Sequence, residues 1–505
     1  MKKLIYSFPF LFILILSACQ NSSSSKKLIL EGEKLAKTYC QSCHAWADPG
    51  SLPKATWEKH ILPRMGAMFG LYNHGLTREE LLGEGAERAE LLISNTFPEK
   101  PNIDEKDFEK IAQYILSKAP ETLEKPSLQV DSTLSSFKAN VPAYQLSPPS
   151  TTMIQVSNGK INIGDANSKA FYQFSPTLQM ERMAIVNEGA VNMIESRDEI
   201  YLTVMGSFSP TDVPKGFFMA LSKTNGKVGI LLDSLRRPVH STFGDLNEDG
   251  LLDVLVCEYG KYQGQLALYS QTNTGSFTKK VLRPKPGAIK TEVLDADGDG
   301  DLDIYALFGQ ADEGLFYYEN QGNNEYTEKK IMGFPPTYGS SSFKILDWNK
   351  DKKWDILYTN GDNADYPPVV KPYHGVRIFL QTENQQFEEE TFLPLPGAYK
   401  AIVRDFDQDG DLDIAAISFF PDYEEKLSKG FVMFWQDEGG RFRGKTLPEA
   451  NLGRWIVMES ADIDQDGDED LFLGSLTFEV PGHPERVNNW VSNGIPFIML
   501  ENSVK

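Results

Sequence analysis

Two kinds of residue cluster in this 505-residue chain can do chemistry. The first is "YCQSCHAW" at 39–46, where Cys40 and Cys43 stand three residues apart and His44 follows at once. Two thiols one helical turn apart can add to the two vinyl groups of one rigid porphyrin, and the imidazole that follows then lies beneath the iron. A thioredoxin-like redox pair would need a βαβ context, and half a zinc site would need a second Cys or His pair. The sequence offers neither. The reading is one covalently bound haem c, with Cys40 and Cys43 as attachment points and His44 as axial ligand.

The second cluster is an acidic nonamer that occurs five times. It reads "DLNEDGLLD" from 245, "DADGDGDLD" from 295, "DWNKDKKWD" from 347, "DFDQDGDLD" from 405 and "DIDQDGDED" from 462. Positions 1, 3, 5 and 9 are Asp245, Asn247, Asp249 and Asp253; Asp295, Asp297, Asp299 and Asp303; Asp347, Asn349, Asp351 and Asp355; Asp405, Asp407, Asp409 and Asp413; and Asp462, Asp464, Asp466 and Asp470. Position 6 is glycine in four copies and Lys352 in the third. Carboxylates this close repel one another unless a cation lies between them. Alternate residues of a tight turn point into one hollow, and an all-oxygen shell suits Ca²⁺, about five ions in all, better than Mg²⁺, which keeps its waters. An EF-hand needs a bidentate Glu at position 12, but Val256, Ala306, Tyr358, Ala416 and Leu473 stand there. The EF-hand is excluded, and the role expected for the ions is to pin turns.

Strands must hold these turns. "LDVLVCEYG", "LDIYALFG", "WDILYTNG", "LDIAAISFF" and "EDLFLGSL" follow the five loops and are rich in β-branched and aromatic residues. The first aspartates are 50, 52, 58 and 57 residues apart, room for about four short strands per unit, as in a propeller blade. The strand, Ca²⁺ loop, strand unit resembles the FG-GAP or VCBS repeat of integrin-like propellers over roughly residues 240–505. "TMIQVSNGKINIGDANSKAFYQFS" (152–175) and "AVNMIESRDEIYLTVMGSF" (190–208) have strand pairs without acidic turns. Counted as two degenerate blades they make seven, with six or eight as the alternatives. The last repeat has only 44 residues from Asp462 to the end. It is one strand short, and a strand from 126–150 would close the ring and remove exposed edges.

Helices must hold the haem motif. "LEGEKLAKTYC" places Gly32, Leu35, Ala36 and Tyr39 at helical spacing, and "DEKDFEKIAQYILSKAP" (104–120) carries a cap at Asp104 and a stripe of Phe108, Ile111, Tyr114 and Ile115, with Pro120 as terminator. Residues 28–120 resemble the small class of cytochrome c, in which a glycine of the N-terminal helix crosses an aromatic of the C-terminal one. Gly32 and Tyr114 are the matching pair. The resemblance implies a methionine as sixth iron ligand. Met65 in "LPRM" is favoured and Met68 is the alternative, with His60 and His74 close enough to compete. Met65 follows His44 by only 21 residues, short for that family.

The fold expected is multidomain, a small all-α cytochrome c domain followed by an all-β propeller. Residues 1–18 read as a signal peptide, with Lys2 and Lys3 before the apolar run Leu4–Leu16, too short for a span of about 20 residues. "LSAC" at 16–19 resembles the lipobox of bacterial lipoproteins, which implies lipidation at Cys19, attachment to a bacterial membrane by that anchor alone, and a polar tether over 19–27. Then come the cytochrome domain (28–120), a linker with a possible closing strand (121–150) and the propeller (151–505). Cys257 sits in an apolar strand and reads as core. A formal charge of -21 and no basic cluster argue against nucleic acid as partner.

A ligand surface is sought in the longest inserted loop, 359–376. Asn360, Asp362, Asn363, Asp365, Tyr366, Lys371, Tyr373 and His374 offer hydrogen-bonding and stacking groups of the sort that orient a sugar or other small polar ligand. "SLRRPVH" (234–240) and "GRW" (453–455) are lesser candidates. Three functions follow. The chain is an anchored electron carrier that docks a redox partner through its propeller; or a complete sugar or alcohol oxidoreductase, against which stand the lack of a tryptophan-docking repeat and the scarcity of propeller histidines (His240, His374, His483); or a carbohydrate-binding or adhesion protein.

Overall fold

A computed structural model of the chain describes residues 26–503 apart from 73, 74, 323, 365, 384, 385, 426 and 428. Cys19, the N-terminal leader, His74 and Asp365 therefore lie outside the described residues. Two compact units divide between Leu123 and Glu124. Among the described residues no helix is long and apolar enough to cross a membrane.

The first unit is helical. Residues 26–40 form its opening helix. A π-helical turn at Trp57–Ile61 runs into a helix at Leu62–Met68, and two short helices, Arg78–Leu82 and Gly85–Ser94, occupy the stretch before the last one. Glu105–Lys118 is capped by the Asp104 carboxylate, which accepts from Lys106 N at 2.9 Å. Its stripe of Phe108, Ile111, Tyr114 and Ile115 is buried, as the spacing predicts. The helix crossing also follows expectation: a Cβ on Gly32 would lie 2.2 Å from Lys110 O and 2.9 Å from Tyr114 Cβ. Only a residue without a side chain permits that approach.

The second unit is a seven-bladed propeller. Each blade is an antiparallel sheet of four strands, in sequence order from the axis outward for blades 1 to 6. The innermost strands are Thr151–Ser157, Ala190–Glu195, Pro238–Gly244, Ala288–Leu294, Ser340–Leu346, Ala398–Arg404 and Trp455–Ala461. Each packs on the next, and Trp455–Ala461 packs on Thr151–Ser157 to close the ring. Every one of the seven bulges at its second residue, for example between Thr151 and Met153, Ala190 and Asn192, and Pro238 and His240. A shared bulge at one place shows that the acid-free blades 1 and 2 repeat the frame of the other five.

The stretch 121–150 serves the propeller's edges. Phe137–Asn140 pairs antiparallel with Phe497–Asn502 as the missing outer strand of blade 7, the closure anticipated from the short last repeat. Val130–Asp131 adds a parallel fifth strand outside blade 6. Side chains on the inner strands stitch blade to blade: Gln155 Nε2 donates to Met193 O, Thr242 shares a hydroxyl bond with Thr291, Lys290 Nζ donates to Phe343 O, and Ser341 Oγ donates to Ala398 O. Cys257 is fully buried among Leu255, Leu266 and Leu268 and is core, its thiol pushed up to about 12 by burial.

Candidate functional site

All five acidic nonamers fall between the first and second strands of blades 3 to 7. The inner strands run alike around the axis, so the five loops share one end of the propeller. Their backbone repeats atom by atom. The carboxylate at position 1 accepts from the amide at position 6: Asp245 from Gly250 at 2.8 Å, Asp295 from Gly300 at 3.1 Å, Asp347 from Lys352 at 3.0 Å, Asp405 from Gly410 at 3.0 Å and Asp462 from Gly467 at 3.1 Å. Position 5 accepts from position 7, as Asp249 does from Leu251 and Asp409 from Asp411, both at 2.9 Å. Position 6 is left-handed throughout, which explains its glycines, and Lys352 takes φ +67° there. Position 4 is left-handed too, in Glu248, Gly298, Lys350, Gln408 and Gln465. The sequence carries no residue signal for that.

Four loops hold three carboxylates with oxygens within 4.8 Å of one another: Asp295, Asp297 and Asp299; Asp347, Asp351 and Asp355; Asp405, Asp407 and Asp413; Asp462, Asp464 and Asp466. In the loop from 245, Asn247 supplies an amide oxygen at position 3. Position 9 has a further task. Asp253, Asp303, Asp355, Asp413 and Asp470 are buried at the head of the second strand. Asp355 accepts from Trp348 N at 2.9 Å and Gln381 N at 2.9 Å, and Asp413 from Phe406 N at 3.1 Å and Gln436 N at 3.0 Å. This carboxylate therefore staples the loop to the third strand, and only Asp355 and Asp413 also join the close groups. Burial, with help from neighbouring carboxylates, pushes Asp413 and Asp470 up to about 7 and Asp468 to about 6. Asp407 Oδ1 and Asp470 Oδ2 are buried and have no hydrogen-bond partner. Crowded, raised and partly orphaned carboxylates are a donor set that fits a hard divalent cation.

The haem motif sits where the helix of residues 26–40 ends. Cys40 is buried and its thiol is pushed up to about 11 by burial and by Cys43, which is exposed on the turn that follows. His44 Nδ1 lies 2.7 Å from Ala45 O. A carbonyl can only accept, so Nδ1 is the donor in this contact and Nε2 is the nitrogen left to face a metal. That arrangement is the one a metal ligand needs. Donor chemistry thus fits an iron porphyrin held by Cys40, Cys43 and His44. Met65 and Met68 share the helix Leu62–Met68, with Met65 half-buried and Met68 exposed, while His60 is exposed.

The loop 359–376 joins the second and third strands of blade 5, so it opens on the face opposite the acidic loops. Several of its expected ligand groups are spent on folding it. Buried Asn360 donates to Tyr338 O at 3.1 Å and Tyr373 O at 3.0 Å and accepts from Arg377. Asn363 donates to Val369 O at 2.8 Å, and buried Lys371 to Thr337 O at 3.2 Å. His374 is fully buried, edge-on to Tyr373, and held well below the usual imidazole range by burial, with Lys371 and Arg377 adding to it. Asp362, Tyr366 and Tyr373 remain half-buried. The cavity between Asp362, Asn363, Tyr366 and Lys371 measures about 30 Å³, room for a water or two and not a sugar ring. Arg454, of the "GRW" candidate, is packing: its guanidinium lies 3.8 Å from the Phe419 ring centre and donates to Phe419 O. Arg237, of "SLRRPVH", donates to Phe208 O at 3.0 Å.

Phe208 carries no local pattern that would single it out. It belongs to blade 2, yet packs on Phe419, Phe420 and Leu476 of blades 6 and 7, so its loop crosses the axis and covers that mouth of the propeller.

Three stretches, 245–306, 295–358 and 405–473, match the FG-GAP-like repeat. Blades 3 to 7 carry FG-GAP-like repeats. Each FG-GAP-like match begins at the first aspartate of an acidic loop and ends in the second strand of the next blade, so the acid-free blades 1 and 2 fall outside. No curated protein matches the sequence. Among solved structures, the N-terminal domain of Nup159 is 10% identical with a TM-score of 0.45, covering 75% of this chain and 98% of that one. Streptogramin B lyase is 12% identical with a TM-score of 0.44, covering 72% and 97%. A protein from Lactobacillus plantarum is 12% identical with a TM-score of 0.40, covering 64% and 96%. Likenesses this distant carry no activity to this chain.

Proposed function

We propose that this chain is an exported c-type cytochrome, tethered to a bacterial membrane through a lipid on Cys19, whose FG-GAP-like propeller is braced by Ca²⁺ and docks the protein's redox partner. The observation that supports it most is the His44 contact: Nδ1 lies 2.7 Å from Ala45 O, which leaves Nε2 to face a metal, directly after two thiols at the right spacing. The Gly32 crossing over Lys110 and Tyr114 supports the same reading, because it is the helix contact the cytochrome resemblance implies. Haem c, when bound, supplies one-electron redox chemistry. Cys40 and Cys43 would hold it covalently, His44 would ligate one face and Met65 or Met68 the other, a thioether raising the potential relative to a second imidazole. The apolar surround of Trp57, Leu62, Phe108 and Ile111 excludes water from the first unit's interior.

The test is the reduced-minus-oxidised absorption spectrum of protein matured in a haem-competent host. Cys40→Ser with Cys43→Ser is expected to yield colourless protein. Met65→Ala is expected to abolish the methionine-ligated signature and Met68→Ala to leave it; no colour in the unmutated chain rejects the reading.

A second reading, a carbohydrate-binding or adhesion protein, is favoured by the aromatic pair opposite the acidic loops, where half-buried Tyr338 and Tyr373 stack at 5.2 Å. A catalytic sugar or alcohol oxidoreductase would instead reduce the haem on addition of substrate to the purified chain, so the same spectrum separates the three.

A further inference from the structure

The bulge at the second residue of each inner strand sets the third residue of all seven at one level of the axis. That ring is Met153, Asn192, His240, Lys290, Ser342, Lys400 and Val457, as the matching strand registers show. His240 and Lys400 are surrounded by protein, yet each keeps part of its surface accessible, and Lys290 is half-buried. Side chains in a narrow axial tunnel have that combination. The tunnel is covered at one mouth by the Phe208 loop. Towards the other, Lys344 and Arg404 on the same strands are exposed.

Three of the seven, His240, Lys290 and Lys400, carry nitrogen donors of basic side chains. Thr291 N–H donates to His240 Nδ1 at 3.4 Å, which leaves the proton on Nε2 as a donor. Lys290 Nζ uses two of its protons, on Glu292 Oε1 at 3.0 Å and Phe343 O at 2.5 Å. Glu292 is already engaged by Lys290, by Lys344 at 3.1 Å and by Ile345 N at 3.1 Å. Lys400 has no hydrogen bond or ion pair among the described residues, although Glu459 attracts it from a distance against the effect of burial. An enclosed ammonium without a partner is costly unless something of opposite charge compensates it. Burial and the two lysine charges also hold His240 down to about 3, so it stays a neutral donor.

We infer that the propeller axis holds a small-anion site, a chloride or a compact oxyanion such as formate, taken by the Lys400 ammonium with the third Lys290 proton and His240 Nε2–H. A larger organic anion does not suit a ring in which seven strands approach one another. The site needs neither the haem nor the acidic loops, since all three donors stand on the inner strands.

The experiment uses the full, Ca²⁺-loaded chain, titrated with chloride, formate or sulfate while ionic strength is held with a bulky organic buffer anion. Thermal unfolding and chloride NMR line width are read together. In the unmutated chain the melting temperature is expected to rise saturably with chloride or formate. Lys400→Met should weaken that response about ten-fold or more, since a charge-assisted hydrogen bond is lost, and should raise the anion-free melting temperature by removing an uncompensated charge. Lys400→Arg should retain the response, and far-ultraviolet circular dichroism confirms that each variant folds. An equal anion response in Lys400→Met, or no saturable response in the unmutated chain, overturns the site.

Discussion

At the scale of single residues, the clearest departures from ordinary chemistry are groups that the fold has placed against their preferences. Glu313 is fully enclosed, accepting from Ser340 N at 2.7 Å and Ser340 Oγ at 2.6 Å, and burial pushes its carboxyl up to about 8 against the opposing pull of Lys371. Its folded pKa is above its unfolded value of about 4.3, so its share of stability is complete below that value and is lost as the pH rises towards 8. Glu313→Gln should therefore melt like the unmutated chain at or below about pH 4 and increasingly above it towards pH 8, a gap on the order of a few kcal/mol. Subtracting one pH profile from the other removes every titration the two proteins share. Lys352 is the second case. Its left-handed φ costs about 1 to 2 kcal/mol that glycine avoids, and glycine's extra unfolded entropy returns roughly 0.5 to 1 kcal/mol of that. Lys352→Gly should thus stabilise the propeller by a fraction of a kcal/mol to about 1 kcal/mol in a urea melt, with the Asp347 bond to the position 6 amide intact. These residues also mark how far a sequence can be read. The glycine at position 6 announces a left-handed turn because no other residue adopts one cheaply. Position 4 announces nothing, because Gln, Lys and Glu are forced there by the amides that Asp245 and its counterparts collect.

At the scale of elements, the helix crossing in the first unit is where propensity and packing oppose each other. Alanine favours a helix over glycine by about 1 kcal/mol, so on an open helix Gly32→Ala would stabilise. Here the new Cβ would meet the Lys110 carbonyl at 2.2 Å, and overpacking costs about 1 to 3 kcal/mol or more when backbone must move. The contact should win: Gly32→Ala is expected to lower the melting temperature of the helical unit and leave the propeller transition where it was, which differential calorimetry on the whole chain resolves. This pairing was legible from Gly32 and Tyr114 because a glycine amid helix formers has few reasons to be there. The π-helical turn at Trp57–Ile61 and the helices of 78–94 were not, since short amphipathic pieces have too few turns to establish a period. The position 9 aspartates show a subtler limit. Their spacing fits a metal shell, but whether an oxygen faces an ion or the amide of a neighbouring strand depends on where the third strand runs, and no local pattern records that.

At the scale of the whole molecule, the seven blades divide into two kinds. Blades 1 and 2 are held by apolar packing, Met153, Phe171, Met193, Leu202 and Met219 forming one cluster, and they have no acidic loop. Blades 3 to 7 each carry one at the same end, and adjacent loops touch: Lys350 Nζ donates to Gly410 O at 3.4 Å and Gln408 Nε2 to Gly467 O at 3.1 Å. Removing Ca²⁺ should therefore act unevenly. Chelation should lower the melting temperature by about 10 °C or more, since each of several ions at a hundred-fold excess over its Kd contributes about 2.7 kcal/mol. Amide exchange should accelerate first at Gly250, Gly300, Lys352, Gly410 and Gly467, whose N–H groups rest on the position 1 carboxylates, while the strands of 151–235 keep their protection. The transition should stay single, because Phe137–Asn140 binds the two ends of the ring together and no blade has a free flank from which to open. An unchanged melting temperature with unchanged exchange at those five amides would mean that the carboxylates are satisfied by the backbone alone, and that the ring stands without ions.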